Sequence, residues 1–185
     1  MNTIITSRDE ILKNSSKLIQ QQGWIAVNIR SVAKACGISV GSVYNYFGSK
    51  EELVNATVES IWHEIFHLPQ ETTAFHDTQA YICWMYERME YGCKKYPGFF
   101  TLHSFRFTDQ EKSDGKRLMY QTWDHLTDSL CSVLKHDPDI RSNAFNEQFT
   151  LENFANVLFS LMLSAMLHQD YDPSVVLEMI RRILY

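Results

Sequence analysis

Residues 39–50, Ser-Val-Gly-Ser-Val-Tyr-Asn-Tyr-Phe-Gly-Ser-Lys, combine small, phenolic, amide and ammonium side chains in one short run. The phenol of Tyr44 and the ammonium of Lys50 can donate hydrogen bonds to anionic oxygens, and the amide of Asn45 can pair with two polar atoms at once. Gly41 lets the backbone approach another surface closely because it has no Cβ. The sequence has no Gly-x-Ser-x-Gly, no phosphate-cradling glycine loop and no Cys–His pairing. We therefore expect these residues to contact a grooved polyanion, and we do not expect the protein to be an enzyme.

Two short helices joined by a tight turn would position these side chains. Asn28 can cap the first helix, and Gly37 can end it in the left-handed conformation. Ser39 can cap a second helix of about two turns, which Gly48 ends, and residues 49–52 predict a capping box for a longer helix. The buried face of the first helix is formed by four apolar residues at helical spacing: Ile29, Val32, Ala33 and Cys36. This arrangement is typical of a helix-turn-helix, whose second helix enters a major groove of DNA.

A longer pattern surrounds this motif, in order and without gaps: Arg8, Ile11-Leu12, Leu18, Gly23, Ile29-Arg30, Val32-Ala33, Gly37-Ile38-Ser39, Gly41, Val43-Tyr44, Tyr46-Phe47 and Lys50-Glu51-Glu52-Leu53. Through these positions, residues 8–53 resemble the DNA-binding domain of the TetR family of bacterial transcriptional regulators. One departure is Val27, where family members often carry a threonine that contacts phosphate. Asn28 beside it could take over that contact.

The resemblance implies that Tyr44 and Lys50 contact phosphate. We expect Val40, Gly41, Ser42, Asn45 and Tyr46 to face the groove, with Asn45 able to pair with adenine and Val40 with a thymine methyl group. Tyr46 could equally pack at the edge of the domain, and Arg30 could form a surface salt bridge in place of a phosphate contact. The complete expected DNA-binding set is Asn28, Arg30, Ser39, Val40, Gly41, Ser42, Tyr44, Asn45, Tyr46 and Lys50.

The formal net charge of −5 is distributed unevenly over the 185 residues. Residues 1–50 carry six basic and two acidic side chains, a net charge of +4, whereas residues 51–185 carry 11 basic and 20 acidic side chains, a net charge of −9. Attraction to phosphate is therefore expected at the N-terminal end, from Arg8, Lys13, Lys17, Arg30, Lys34 and Lys50.

The whole chain is predicted to be all-α, with about nine helices. We expect a three-helix helix-turn-helix DNA-binding domain in residues 1–48 and a helical regulatory and dimerisation domain in residues 49–185. Apolar residues continue at helical spacing beyond Leu53, and the four prolines fall between or at the starts of the segments. The later helices are predicted at about 49–67, 77–96, 97–107, 116–136, 146–169 and 173–184.

The helix predicted at 146–169 has little polar surface, so it must be covered on both sides. In the TetR family the two C-terminal helices form a four-helix bundle with the same pair of a second subunit, and this pattern is similar. We therefore expect a homodimer that reads two half-sites, although a central helix of a monomeric bundle is the alternative. The expected interface residues are Phe154, Leu158, Leu161, Met162, Ala165, Leu177, Ile180 and Leu184.

Many aromatic residues in the C-terminal region could line an effector cavity, which is where TetR-family members commonly bind small molecules. The same residues at helical spacing also suit an ordinary core. An effector would release DNA by favouring a conformation in which the fourth helix swings and changes the spacing of the two DNA-binding domains. The candidate pocket residues are Trp62, Phe66, Tyr81, Trp84, Met85, Phe99, Phe100, His103, Phe105 and Trp123.

Other features favour a cytoplasmic protein without a metal or a cofactor. The four cysteines are scattered and no secretory signal precedes them, so free thiols are expected. The longest apolar run, residues 157–167, is about half the length of a membrane span. His63 and His67 stand four residues apart on the fourth helix, but two ligands do not make a metal site.

The most direct interpretation is a repressor that a small-molecule effector releases from a near-palindromic operator. The alternative is a DNA-bound activator or chromosome-organising protein of the same fold that acts through protein partners. A single operator beside the protein's own gene would favour repression, whereas many sites spread over the chromosome would favour the second interpretation.

Overall fold

The computed structural model describes residues 6–67, 75, 77–98 and 114–185, with only the helical backbone for residues 114–122. Every regular element in these ranges is helical, which confirms the all-α prediction. The helices are α1 Arg8–Gln22, a 3₁₀ turn Trp24–Ala26, α2 Ile29–Cys36, α3 Val40–Tyr44, α4 Lys50–Ile65, α5 Thr78–Lys95, α6 Asp114–His136, α7 Leu151–His168 and α8 Ser174–Leu184. Most of the short helix expected at 97–107 lies outside the described residues. None of the described helices has the length and apolar character needed to cross a bilayer.

The chain divides into two compact units. The first comprises Met1–Ile65 with Gly92–Met119, and the second comprises Phe66–Tyr91 with Tyr120–Tyr185. In its described part, the first unit contains α1 to α4, the last residues of α5 and the first residues of α6. We retain the boundary after residue 48 as a proposal for the end of the DNA-binding domain, because Gly48 separates α3 from α4.

The core of the first unit is built where α1 packs against α2 and α4. Ser7 caps the N-terminus of α1, and its Oγ accepts a hydrogen bond from the Glu10 N–H at 3.1 Å. It ends at Gly23, whose φ of +76° favours glycine. The buried apolar side chains of this core are Ile11, Leu12, Leu18, Ile19, Val27, Ile29, Val32, Ala33, Val43, Phe47, Leu53, Ala56, Val58, Ile61, Trp62 and Ile65. Burying each large apolar side chain contributes roughly 1.5–3 kcal/mol.

α7 begins five residues later than the apolar pattern predicts. The Asn146 Oδ1 accepts hydrogen bonds from the N–H groups of Gln148 and Phe149, both at 2.9 Å, and so closes a turn. Thr150 then caps the helix, because its Oγ1 accepts from the Asn153 N–H at 3.2 Å. The side chain of Asn146 therefore competes with the helix that its spacing suggests.

A buried carboxylate joins three segments of the second unit. Asp137 is 8% exposed and lies directly after α6. Its Oδ2 accepts hydrogen bonds from the N–H and the hydroxyl of Thr78, both at 2.8 Å, and from the Tyr185 hydroxyl at 2.5 Å. Burial alone would raise the pKa of Asp137, but the hydrogen bonds from Tyr185, Thr78 and the Asp139 N–H together lower it. The carboxylate thus ties the start of α5 to the residue after α8.

We expect Asp137→Ala to lower the free energy of unfolding by about 3 kcal/mol at neutral pH, because the N–H of Thr78 and the hydroxyl of Tyr185 lose their acceptor. Asp139→Ala is the matched control, since this side chain is exposed and only its N–H bonds to Asp137. The control should change the free energy by less than about 0.5 kcal/mol. Urea unfolding of the three proteins measures both values.

The loss of stability caused by Asp137→Ala should also depend on pH. The folded state lowers the pKa of Asp137 below that of the unfolded chain, which is about 3.9, so its stabilising contribution is complete above that pH. The contribution is lost as the pH falls through the folded-state pKa. The difference between wild type and Asp137→Ala should therefore narrow below about pH 4, and a difference that is the same at all pH values would contradict this role.

Candidate DNA-binding surface

The first helix of the motif is capped at both ends as the sequence predicts. The Asn28 Oδ1 accepts from the Ser31 N–H at 3.0 Å, and the Ser31 Oγ accepts from the Asn28 N–H at 3.2 Å, which completes a reciprocal capping box. Gly37 adopts φ +67°, ψ +27°, and the Ile38 N–H donates to the Ala33 carbonyl at 3.0 Å. These caps fix where α2 ends and direct the chain into the turn.

The second helix of the motif, α3, is only five residues long, and Ser39 caps its N-terminus. The Ser39 Oγ accepts from the Ser42 N–H at 3.0 Å, and the two hydroxyl oxygens are 2.8 Å apart. Val43 is fully buried, whereas Val40 is 41% exposed and Tyr44 is 49% exposed. One side of α3 is therefore fixed in the core and the opposite side presents apolar and phenolic groups to solvent.

Gly41 lies on the exposed side of α3. Among the described residues, a Cβ at this position would meet only the Ser39 Oγ, at 3.7 Å, and the φ is not positive. The protein's own packing and backbone therefore do not require a glycine here. The absence of a side chain would let another surface approach the backbone closely here.

The residues after α3 anchor the motif. Phe47 is fully buried, and the Arg8 guanidinium lies 5.1 Å from the centre of its ring, within the range of a cation–π contact. The Tyr46 hydroxyl donates to the Thr6 carbonyl oxygen at 2.6 Å, which matches the expectation that this side chain could pack at the domain edge. This bond uses the hydroxyl proton of Tyr46, and its contact with DNA stays a prediction.

Positive side chains lie on both sides of α3. Arg30, Lys34 and Lys50 are exposed, and the Arg30 guanidinium has no salt-bridge partner among the described residues. The Ser49 Oγ accepts from the Glu52 N–H at 3.0 Å, and this cap places Lys50 at the first position of α4. The Glu52 carboxylate accepts from the Gly48 N–H at 2.7 Å, one residue earlier than in the predicted capping box. The surface thus combines the expected groove-facing residues with flanking cations.

The effector residues that we predicted fall in different places. Trp62 is buried in the first unit, and Phe66, Tyr81 and Met85 are buried in the second. The rings of Phe66 and Trp84 are 6.4 Å apart, and those of Tyr81 and Trp84 are 5.6 Å apart, so these three rings form one cluster. Trp123 is half-buried against Phe159, with ring centres 5.8 Å apart. Phe99, Phe100, His103 and Phe105 lie outside the described residues.

The expected dimer residues divide into two groups. Leu161, Ala165 and Leu177 are half-buried and keep surface for a partner. The other five are at most 3% exposed within a single chain, so they form the core of the second unit and have no surface to offer: Phe154, Leu158, Met162, Ile180 and Leu184. Dimerisation through these helices stays a prediction, and the side chains that remain available for it are the outward ones of α7 and α8, which include Val157, Leu167 and Val175. Apolar spacing identified the buried face without showing which protein surface covers it.

Metal and thiol chemistry find little support in the described residues. There, no three His, Cys, Asp or Glu side chains are grouped as a metal site would require. All four cysteines are free and half-buried. Burial raises the pKa of Cys36, Cys83 and Cys131, so these thiols stay protonated at neutral pH.

The described helices and caps define a helix-turn-helix protein. Residues 11–57 match the family of bacterial regulatory proteins called the tetR family. Among curated relatives, the transcriptional repressor KstR2 of Rhodococcus jostii is 33% identical over 67 residues, which are 36% of this chain and 33% of that protein. The chain spans about a quarter to a third of the length of the curated relatives it matches. The N-terminal domain of the chain is therefore similar to that of tetR-family regulators.

Solved structures extend the likeness in fold to the rest of the chain. A TetR-type regulator from Streptomyces avermitilis covers 98% of this chain and 100% of its own, with a TM-score of 0.68 and 18% identity. FadR from Bacillus subtilis, solved in complex with stearoyl-CoA, covers 94% of this chain and 95% of its own, with a TM-score of 0.66 and 13% identity. At these identities the likeness establishes the fold alone.

The capping role of Asn28 can be separated from a role in contacting DNA. We expect Asn28→Ala to lower the free energy of unfolding by about 1 kcal/mol, because the Ser31 N–H loses its acceptor. Asn28→Asp keeps an acceptor and places a negative charge at a helix N-terminus, so it should retain wild-type stability. Urea unfolding compares the three proteins. Equal loss of stability in both variants would contradict the capping role.

Proposed function

We propose that this protein is a sequence-specific transcriptional regulator that binds a near-palindromic operator as a homodimer and acts as a repressor released by a small-molecule effector. This proposal rests on the exposed side of α3. It presents Val40, Gly41 and Tyr44 outward from a short helix whose opposite side is buried. These types of side chain suit the floor and walls of a major groove.

The geometry of α3 supports direct insertion into the groove. Val43 and Phe47 fix the helix in the core, so its outward residues have little freedom to turn away. Asn45 is exposed at the end of the helix, where its amide can pair with an adenine edge. Tyr44 and Lys50 donate to phosphate, which positions the domain without selecting a sequence.

Local charge supports binding to DNA despite the negative charge of the whole chain. The exposed cations Arg30, Lys34 and Lys50 belong to the segment of net charge +4 that contains the motif. The acidic remainder discourages non-specific contact with DNA elsewhere on the protein. Association should therefore weaken strongly with added salt, because phosphate contacts release counterions.

The outward surface of α7 and α8 supports the homodimer. Val157 is 48% exposed, Leu167 is 47% exposed and Val175 is 73% exposed in a single chain. A second copy would cover these side chains together with Leu161 and Ala165. A symmetric dimer places two recognition helices about 34–36 Å apart, which is the separation of successive major grooves.

The effector part of the proposal rests on the aromatic cluster of Phe66, Tyr81 and Trp84 in the second unit. Aromatic side chains are typical of the lining of ligand sites, and the rings of Phe66 and Tyr81 lie 6.4 Å and 5.6 Å from that of the half-buried Trp84. The fold-level likeness to a regulator that binds stearoyl-CoA favours an organic effector with a large apolar part. The effector must bind the two conformations of the protein unequally to release DNA.

Selection of bound sequences from fragmented genomic DNA tests the function, with Gly41→Ala as the decisive variant. Alanine should keep or raise the stability of α3, by roughly 0.5–1 kcal/mol, because helices disfavour glycine. We expect it to weaken binding to the selected sequence about tenfold or more, because the added methyl group holds the backbone away from the groove.

Gly48→Ala is the matched control for this selection, because it makes the same change outside α3. Its Cβ would lie 3.2 Å from the Glu52 Oε2, the end of a flexible side chain, so the domain can accommodate it. Wild type and this control should select the same short near-palindrome. If Gly41→Ala folds and binds that sequence as tightly as wild type, α3 does not enter the groove.

A charge placed on the proposed dimer surface tests the quaternary structure. Val157→Lys should leave the folded chain intact because position 157 is exposed, yet it should raise the dimer dissociation constant by about tenfold or more, since a charge would be buried between the subunits. Gln148→Lys adds the same charge at an exposed position outside the surface. Sedimentation velocity over a range of concentrations should show dissociation for the first variant alone. Unchanged association of Val157→Lys would place the interface elsewhere.

A further inference from the structure

We propose that a cleft in the first unit, formed by α1, α4 and the C-terminal end of α5, binds a small organic anion that carries a phosphate or carboxylate group. The cleft has a volume of about 420 Å³. This volume falls within the range of about 300–1,000 Å³ that is typical of small-molecule sites. The cleft lies entirely within the unit that contains the DNA-binding motif, and it is distinct from the aromatic cluster of the second unit.

Two lysines on α1 supply the positive charge. Lys13 and Lys17 both line the cleft and are exposed, and neither ammonium has a hydrogen-bond or salt-bridge partner among the described residues. Residues four apart on a helix have Cβ atoms about 5–6 Å from one another, so both ammonium groups can reach one oxyanion. Their attraction to DNA phosphate stays a prediction, and the structure shows that they also line this cleft.

The remaining charges of the cleft leave this pair available. Glu64 is occupied, because its Oε1 lies 2.5 Å from the Lys95 Nζ and its Oε2 accepts from the Tyr96 hydroxyl at 2.9 Å. Asp9 is the other carboxylate of the lining. Three ammonium groups therefore face two carboxylates, and the excess positive charge lies with Lys13 and Lys17. An anion is the complementary ligand.

The rest of the lining suits the organic part of such a ligand. The methylene stems of Lys13 and Lys17 contribute apolar surface, and the half-buried Ser60 and the exposed Gln20 add polar groups that can fix an orientation. A hydrated inorganic ion would leave the apolar surface unused. The chemistry of the site therefore points to a compact metabolite with one anionic end.

A ligand in this cleft would bind the protein at α1 and α4 together. These two helices pack against each other in the core that supports α2 and α3. Occupancy would therefore act on the DNA-binding unit itself. The inference does not depend on the proposed function, because binding of the anion can be measured without DNA.

Isothermal titration calorimetry of the full chain tests the site, with pyrophosphate and citrate as probes and sodium chloride holding the ionic strength constant. The test variants are Lys13→Gln and Lys17→Gln. The control is Lys135→Gln, which removes the same charge from an exposed lysine at the end of α6. Thermal unfolding without a probe should give the same midpoint for all four proteins, because the three substituted side chains are exposed.

We expect saturable binding of at least one probe to wild type and to Lys135→Gln with the same Kd. Each cleft variant should raise that Kd about fivefold or more, since it loses one charge-assisted contact. Tighter binding of pyrophosphate would assign the ligand to the phosphates, and tighter binding of citrate to the carboxylates. Absence of saturable heat with both probes, or the same Kd in all four proteins, would overturn the proposal. Loss of DNA affinity in Lys13→Gln with unchanged anion binding would also overturn it.

Discussion

The burial of Val43 and Phe47 is the interaction on which the recognition surface depends. α3 has five residues, far fewer than the roughly 12–15 that an isolated helix needs to be stable in water. It persists because these two fully buried side chains attach it to the core built by α1, α2 and α4, while the Ser39 hydroxyl accepts a hydrogen bond from the Ser42 N–H in its first turn. The same attachment decides which side chains point outward. A small helix can therefore present Val40, Gly41 and Tyr44 in a fixed orientation.

Hydrogen bonds of different sequence range stabilise the two units. In the first, closely spaced caps at Asn28, Gly37, Ser39 and Ser49 direct a short chain through three changes of direction. In the second, the buried carboxylate of Asp137 joins segments that are far apart in sequence, and the Arg141 N–H donates to the Leu184 carbonyl at 2.9 Å. Local polar bonds thus define the DNA-binding motif, whereas long-range polar bonds hold the ends of α5, α6 and α8.

The sequence predicted most of the DNA-binding motif because its signals are local. A capping residue, a glycine with positive φ and a buried residue at helical spacing each act within four positions, so Asn28, Gly37 and Val32 could be interpreted without the fold. The start of α7 was less predictable, because the side chain of Asn146 forms a turn where the apolar spacing favours a helix.

The surfaces could not be predicted to the same degree, because they depend on what covers each side chain. Apolar spacing showed that Phe154 and Ile180 are buried, but not that their own chain buries them. Lysine content showed that the N-terminal segment is basic, but not that Lys13 and Lys17 lie at a cleft with Tyr96. The hydrogen bond of Tyr46 to Thr6 is likewise a contact over 40 positions that no local pattern indicates.

In the proposed homodimer, the α3 helix of each subunit enters the major groove of DNA, so each complex contains two such insertions. Methylation protection of a selected operator fragment tests this mode of binding most directly, because guanine N7 lies in the major groove and adenine N3 in the minor groove. Insertion of α3 from both subunits predicts protection of guanine N7 in two patches about 10–10.5 base pairs apart, or a multiple of that spacing, on one face of the duplex. Protection confined to adenine N3, or a single patch that does not repeat, would contradict this mode of binding.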